Sequence, residues 1–424
     1  MDDRITIIHG PNGFGKTMML KLLYALFSSD NQTLQTIPFD EFRVNFEDNT
    51  SFWVSKKVQS VELPEEHPDE RDIIFHASGK KPYGLHSKSL PVSNTRQILV
   101  EQWIQLEHVN PEIRLYIPPA STIEDFSDQS SVRFIHERPK IPEWLVEIRS
   151  SVPIRLIETQ RLLNSTRPPK RGQHERAHIS EAEYAVTADS KHLVEMIRRK
   201  LAESASLSQS LDRTFPARLI NPTDQQLQVK EEELLDKLEK LEKKRSRLMA
   251  TGLLDQETSA VFPVGPNEER GINSNTKAVL AVYAEDTERK LGIFDELAQK
   301  IDLLTTIIDN RFLYKTMTID KEQGLVFTSK NGTILPLEDL SSGEQHELVL
   351  FYELLFRITP RSLILIDEPE LSLHVVWQEQ FLKDVQQVTQ LTDIDIILAT
   401  HSPDIINDRR DLVVELEEPG NGKV

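Results

Sequence analysis

The sequence predicts an α/β fold whose sheet is interrupted by a helical insertion, and three observations carry that prediction. A short apolar run, Ile5-Thr6-Ile7-Ile8, ends at a glycine-rich loop, and over residues 17–27 Met18, Leu22 and Leu26 recur at helical spacing. The apolar runs 363–366 and 394–399 each end in polar residues, the pattern of buried parallel strands that deliver side chains at their C-terminal edge. Between these ends, residues 181–311 turn to long, charged, helix-forming sequence.

After the first helix, residues 42–54 show a hairpin pattern: Phe42, Val44 and Phe46 alternate before Asp48-Asn49, and Phe52 and Val54 follow. More strands are expected at 72–75, 114–117 and 153–157. In the charged stretch Leu227, Leu234, Leu241 and Leu248 recur every seven residues, with Leu238 between two of them. Phe294, Leu297, Ile301, Leu304 and Ile308 alternate steps of three and four. Separated by a glycine- and proline-containing segment, 252–275, the two stripes predict a short antiparallel coiled coil at about 224–250 and 276–311. An arm of about 25 residues rising about 1.5 Å each spans on the order of 40 Å. Two ordinary helices of a helical subdomain are the competing reading, because Glu231 and Arg245 interrupt the first stripe. Strands return at 324–328, 363–366 and 395–399, with a short last one at 412–416.

At 424 residues the chain accommodates one large domain with an insertion, or two to three ordinary domains. Its 68 Asp and Glu outnumber 50 Lys and Arg, for a net charge of −18. That balance disfavours a surface coated in nucleic acid and leaves only local DNA contact open. There is no cysteine, which excludes disulfides and cysteine-based zinc sites and fits a reducing cytoplasm. No apolar run approaches the roughly 20 residues that cross a bilayer, and the first residues lack the features of a signal peptide. A soluble, cytoplasmic protein without a membrane partner is expected.

Gly10-Pro11-Asn12-Gly13-Phe14-Gly15-Lys16-Thr17 matches the P-loop pattern in full and sits between a predicted strand and a predicted helix. Glycines let such a loop turn its backbone N–H groups inward onto phosphate oxygens, and the following helix adds the positive end of its dipole. Lys16 suits the β- and γ-phosphates of a nucleotide, and Thr17 suits Mg²⁺ through its hydroxyl. Leu363-Ile364-Leu365-Ile366-Asp367-Glu368 delivers two acids from one strand: Asp367 fits a magnesium role through water, and Glu368 fits a general base toward the attacking water. Standing alone, such a pair also reads as a solvated turn. Leu340-Ser341-Ser342-Gly343-Glu344-Gln345 precedes the helical run 348–356, so its amides form an anion site at a helix N-terminus. Thr400-His401-Ser402 follows the strand at 394–399.

In this order the four segments resemble the ABC ATPase superfamily, specifically its soluble branch of SMC, RecF and OLD-type ATPases. The resemblance implies an ABC-type P-loop ATPase head with a mixed sheet that binds ATP and Mg²⁺ and closes head to tail with a second copy over two ATP molecules. Residues 1–160 would form the N-terminal lobe with the P-loop, and 161–311 the helical and coiled-coil insertion. Residues 312–424 would form the C-terminal lobe with signature, Walker B, D-loop and histidine switch. It further implies that Ser341, Ser342, Gly343 and Glu344 meet ATP held by the opposite copy, with Ser341 and Gly343 at its γ-phosphate. His401 would sense that phosphate, and catalysis would rest on Glu368, His401 and Lys16. Ser342 stands where glycine is usual, and Glu344 where transporters prefer glutamine, which suits the soluble branch. Residues 370–374 occupy the D-loop position, which crosses the dimer interface in the family; a helix N-cap at Ser372 is the alternative. The family's glutamine that couples the catalytic site to the helical lobe, with a place at the metal, has Gln160 as its candidate here.

Only nine residues precede Gly10, where the family has an earlier strand that cradles adenine, so the start is trimmed or adenine is held elsewhere. Arg167, Lys170, Arg171 and Arg176 lie in a loop rich in proline and glycine, which reads as a solvated linker, with DNA or another anion as the functional alternative. Trp377 is expected in the core. After His401 this sequence has a short strand and an acidic tail, where OLD-type nucleases carry a metal-binding Toprim domain. Residues 363–378 resemble ATPase subunits of bacterial defence systems of the Septu, retron and PARIS types. That likeness implies an ATPase, as a homodimer or higher homo-oligomer, controlling a separately encoded effector such as a nuclease in anti-phage defence. A RecF- or SMC-like repair ATPase acting on DNA is the alternative. A transporter ATPase subunit fits less well, because transporters need a compact helical lobe to receive coupling helices.

Overall fold

The computed structural model describes residues 4–11, 13–57, 72–85, 141–158, 163–164, 183–220, 229–255 and 274–416. Asn12, Gln160, the strand expected at 114–117 and the basic residues Arg167, Lys170, Arg171 and Arg176 lie outside them. The chain divides into two compact units, residues 1–20 with 154–424, and residues 21–153.

The first unit is built on a five-stranded parallel sheet in the order Val413–Glu415, Ile5–His9, Asp395–Thr400, Leu363–Asp367 and Ile154–Ile157. Its apolar runs are buried on both faces: Ile5, Ile7, Ile364, Leu365, Ile366, Ile396 and Leu398 are all in the core. Ile5 pairs with Ile396 and His9 with Thr400, while Leu363 pairs with Asp395 and Asp367 with Ala399. The loops that leave His9, Asp367 and Thr400 therefore start side by side at one sheet edge. The antiparallel strands are segregated in a separate sheet of Ile334–Leu335, Gly324–Ser329 and Lys315–Asp320.

The helical insertion is present, but its pairing differs from the predicted arm. Leu234, Leu241 and Leu248 are buried on the helix Glu231–Ala250, as the heptad stripe requires, and Leu238 packs against the same core. Ion pairs then fix its direction. Glu231 meets Lys277 at 3.4 Å, Lys237 meets Glu288 at 2.7 Å and Lys244 meets Asp295 at 2.7 Å, in the same order along both segments. The helices Glu231–Ala250 and Ser274–Gly292 therefore run parallel. The antiparallel partner of Ser274–Gly292 is Ala185–Ile220, through Asp212 with Lys290 at 3.1 Å and Arg218 with Asp286 at 2.7 Å. A heptad stripe states which face is buried, not against what or in which direction.

The second stripe lies on one helix, but the predicted second arm, 276–311, does not: the chain breaks at Ile293-Phe294, and Asp295–Arg311 turns Leu297, Ile301, Leu304 and Ile308 into the main core. There it packs on the strand Lys315–Asp320 and the helix Val375–Thr392. The first helix of the insertion docks through Ser190, whose hydroxyl donates to Gln323 O and accepts from Leu325 N, both at 2.9 Å. Gly324 between them has φ +80°, and a Cβ there would lie 2.5 Å from the Ser190 carbonyl oxygen, so only glycine fits.

The second unit carries a four-stranded antiparallel sheet of Glu41–Asn45, Ser51–Lys57, Asp72–Ala77 and Tyr83–Leu85. Phe42 pairs with Val54 and Val44 with Phe52, which puts the predicted alternation on one face, where Phe52, Val54, Ile73 and Phe75 are buried. Arg149, on the helix Glu143–Ser151, lies over Phe75 and donates to Leu26 O at 3.1 Å and Asn31 Oδ1 at 3.0 Å. No helix among the described residues is long and apolar enough to cross a membrane.

Asp189, on the first helix of the insertion, is buried and accepts from Arg357 at 2.8 Å. Burial pushes its carboxyl up to about 6, against the pull of the Arg357 guanidinium. An unfolded chain releases this proton near pH 4, so between about pH 4 and 6 the folded chain holds a proton that the unfolded chain has lost. Stability therefore falls as pH rises through that window, by roughly 3 kcal/mol. Urea denaturation across this range should show the fall in the wild type and its absence in Asp189→Asn.

Candidate functional site

The loop after Ile5–His9 turns on Gly13 and Gly15, whose φ angles of +88° and +84° are ones that only glycine adopts without strain. The turn brings the chain into the helix Lys16–Phe27. Lys16 is buried, and its Nζ donates to Gly10 O at 2.6 Å and Pro11 O at 3.1 Å, so the ammonium lies against the loop that precedes it. Thr17 Oγ1 donates to Asp367 Oδ1 at 3.0 Å, joining two segments 350 residues apart. A hydroxyl and a carboxylate converging in this way are hard oxygen donors that suit Mg²⁺. No group of three or more His, Cys, Asp or Glu that could hold a metal occurs among the described residues. A magnesium ion at Thr17 and Asp367 would therefore complete its shell with water and phosphate, as this ion commonly does.

Glu368, directly after the strand, has the left-handed backbone angles φ 43° and ψ 59°, and its N–H donates to Ala399 O at 2.9 Å. Such a conformation in a non-glycine residue is held by its surroundings and clusters at functional sites. The Glu368 carboxylate comes within 3.8 Å of His401 Nδ1. The turn Pro369–Ser372 then brings in Glu370, whose side chain is only 5% exposed. Its Oε1 accepts from the Thr400 hydroxyl at 2.7 Å and from His401 N at 2.8 Å, and lies 2.9 Å from His401 Nδ1. Gln378 closes the turn: its Oε1 accepts from the Ser402 hydroxyl at 2.7 Å, and its Nε2 donates to Leu373 O at 3.3 Å. The helix Val375–Thr392 that follows is capped by His374, which accepts from Val376 N, and not at Ser372 as the sequence alternative had it.

Ser341 caps the helix Ser342–Tyr352 in a reciprocal box with Glu344. Glu344 Oε2 accepts from Ser341 N at 2.8 Å, and both carboxylate oxygens accept from Lys315 Nζ at 2.7 and 2.6 Å. Burial opposes ionisation of this carboxyl, but the bonds from Lys315 and Ser341 outweigh it and hold it below the usual carboxylate range. Glu344, expected among the nucleotide contacts, thus spends its side chain on the helix start. Ser341 and Ser342 are exposed. Ser341 borders a cleft of about 380 Å³ whose lining also includes Glu344, His374, Val376 and Trp377. Trp377 is half-buried beside Phe312 rather than in the core, because its other side meets this cleft. Below the helix start, buried Arg311 pairs with Glu347, which has no exposure, and with Asp384.

The family model of the AAA ATPase domain matches residues 1–406. The chain belongs to the AAA ATPase domain family. No curated protein matches it. Among solved structures, this AAA ATPase domain is 11% identical to an Smc head bound to the C-winged helix domain of ScpA, over 32% of its own length and 43% of that chain, with a TM-score of 0.23. It is 10% identical to the Smc head domain with an extended coiled coil bound to the C-terminal domain of ScpA derived from Pyrococcus furiosus, over 97% of its own length and 86% of that chain, with a TM-score of 0.29. Both scores are too low to carry a structural argument.

Of the residues singled out from the sequence, Lys16, Thr17, Asp367, Glu368 and His401 fall at the ends of adjacent strands of the AAA ATPase domain, while Ser341, Ser342 and Gly343 form a separate helix start. Sequence reasoning placed Glu370 in the D-loop position but gave it no role at His401, and did not find Gln378 or Lys315 as site residues. Glu370 had one usable signal, an acid just after the proline that opens the turn following the strand, and the other two had none. Calorimetry should find nucleotide binding abolished in Lys16→Ala. Asp367→Asn should still bind ATP in the presence of EDTA but lose the gain in affinity that Mg²⁺ confers.

Proposed function

We propose that the protein is an ATP phosphohydrolase whose active site is completed by a second copy bound head to tail. The observation that carries this reading is the convergence of Lys16, Thr17, Asp367, Glu368 and His401 at one sheet edge, while Ser341 and Ser342 of the complementary helix start are exposed. The loop Gly10, Pro11, Asn12, Gly13, Phe14 and Gly15 cradles the phosphates, and Lys16 neutralises them. Thr17 and Asp367, with Gln160, hold Mg²⁺; Glu368 takes a proton from the attacking water; His401 meets the γ-phosphate. Ser341, Ser342 and Gly343 meet the γ-phosphate of the other copy, and Glu344 supports them through the cap. Val376, which lines the cleft, and exposed Leu371 and Val375 supply apolar surface for that closure.

In this proposal residues 1–160 and 312–424 act as the head and 161–311 as an appendage through which a partner reads the nucleotide state. The partner is a separately encoded effector, a nuclease in cytoplasmic anti-phage defence; this part rests on the likeness of residues 363–378 to defence ATPases.

Removing only the proton acceptor in Glu368→Gln should leave ATP binding intact and lower hydrolysis about 10²–10⁴-fold. With Mg·ATP this variant should accumulate the closed pair. Spin labels on the helix Lys16–Phe27 of one copy and on Ser342–Tyr352 of the other should then approach on ATP addition. Adding Ser341→Arg should abolish the approach while ATP still binds. Absence of shortening in Glu368→Gln, or the same shortening in the double variant, would sink the composite site.

A further inference from the structure

We propose that Glu370 is a positioning residue that fixes the tautomer of His401, keeping the ring proton on Nδ1 and leaving Nε2 as the nitrogen offered to the nucleotide. The inference rests on the proposed role of His401, and it starts from the turn. Glu368 reverses the chain in a left-handed conformation, Pro369 opens the turn Pro369–Ser372, and Glu370 is carried back under the end of Asp395–Thr400. A carboxylate 5% exposed requires donors. The Thr400 hydroxyl and the His401 amide supply two, both to Oε1.

Two atoms are left over. Glu370 Oε2 and His401 Nδ1 are both buried without a hydrogen-bond partner among the described residues. Nδ1 nevertheless lies 2.9 Å from Oε1 of the same carboxylate, close but off the hydrogen-bond axis. The next ionised group near it is again a carboxylate, Glu368 Oε1 at 3.8 Å, too far for a hydrogen bond. Ionised carboxylates only accept, so a nitrogen between two of them is satisfied when it carries a proton. Oε1 already accepts from Thr400 and His401 N, so a small turn of the carboxylate that brings Oε2 onto Nδ1–H gives both leftover atoms a partner at once.

The choice has a chemical consequence. With the proton on Nδ1, Nε2 of the neutral ring accepts; once the ring is cationic, Nε2–H donates to a phosphate oxygen while Glu370 carries the counter-charge. A buried acid behind a histidine sets orientation and tautomer in the same way in the Ser-His-Asp triad.

Glu370→Gln separates this role from a purely structural one. The amide oxygen replaces Oε1 and keeps the Thr400 and His401 anchors, but an NH₂ replaces Oε2, and a donor there requires a bare Nδ1. Histidine-selective ¹⁵N spectra of the full chain, with His401 identified by its absence in His401→Ala, should show Nδ1–H in the wild type and Nε2–H in Glu370→Gln. The variant should melt like the wild type and keep its KM for ATP within a few fold. Its kcat should fall about 10²–10⁴-fold, and that loss should not add to the loss in His401→Ala. Wild-type rates in Glu370→Gln, additive losses in the double variant, or an Nε2–H ring in the wild type would each overturn the assignment. If Glu370→Gln does not fold, the wild-type spectrum alone decides. If the wild type hydrolyses no ATP, the proposed function fails while the tautomer still answers for Glu370.

Discussion

The register of the three central strands is the constraint on which the site depends. Ile5–His9, Asp395–Thr400 and Leu363–Asp367 are buried on both faces, so no alternation of polar and apolar residues marks their alignment; packing alone must hold it. With His9 opposite Thr400 and Asp367 opposite Ala399, the P-loop, the paired acids and the histidine leave the sheet at one level. Sliding one strand by a single residue moves its end by about 3.3 Å. That is as long as the whole 3.0 Å bond between Thr17 and Asp367, so the pair would be lost. The chemistry sits outside the carboxyl ends of the strands, where open parallel sheets place ligands.

A second set of constraints is ionic. The helix Ser342–Tyr352 is tied by Glu344 to Lys315, and by Glu347 through Arg311 to Asp384 on Val375–Thr392. Its continuation, the π-helical turn Glu353–Arg357, is tied by Arg357 to Asp189 and by Glu353 to Arg155. Arg311 stands between two carboxylates in a place that excludes water; burial weakens the hold of its guanidinium on the proton and pushes the Asp384 carboxyl up against the pull of Arg311. Leaving a buried charge without its partner costs about 3–5 kcal/mol. The start of this helix is therefore tied to both neighbours, because Arg311 ends the helix Asp295–Arg311 and Asp384 lies on Val375–Thr392.

How far the structure was legible follows from what each signal encodes. The three central strands are buried apolar runs and could be read from the sequence as such. The two edge strands, Ile154–Ile157 and Val413–Glu415, could be read as short apolar segments although they are only partly buried. Lys315–Asp320 could not, because Met317 is its one fully buried residue and its pairing partner is supplied by the hairpin. The heptad leucines announced a buried face correctly, but direction is set by charges such as Lys237 and Glu288 that carry no period. Residues 10–17 were legible because one mechanism demands a fixed spacing. Glu370 was not, because a buried acid that orients a histidine needs only proximity, and proximity between residues 370 and 401 is made by the sheet.

The segment Ser341 to Glu344 shows how one pattern can carry two meanings. Ser-x-x-Glu before an apolar run is the signature of a capping box, and the box is formed: Ser341 N donates to Glu344, and Glu344 N donates to Ser341 Oγ at 3.4 Å. Gln345 N is taken by Ser341 O at 2.9 Å. Of the amides that a helix start leaves without partners, those of Ser342 and Gly343 then remain, and neither has an acceptor among the described residues. Serine in place of glycine at 342 does not weaken this, since the donor is the backbone. A carboxylate at the third helical position would repel an approaching anion, but Lys315 at 2.6 Å neutralises Glu344. The cap thus fixes the helix start without occupying it, and a phosphate arriving there meets two preorganised N–H groups, the helix dipole and no net negative charge from the cap.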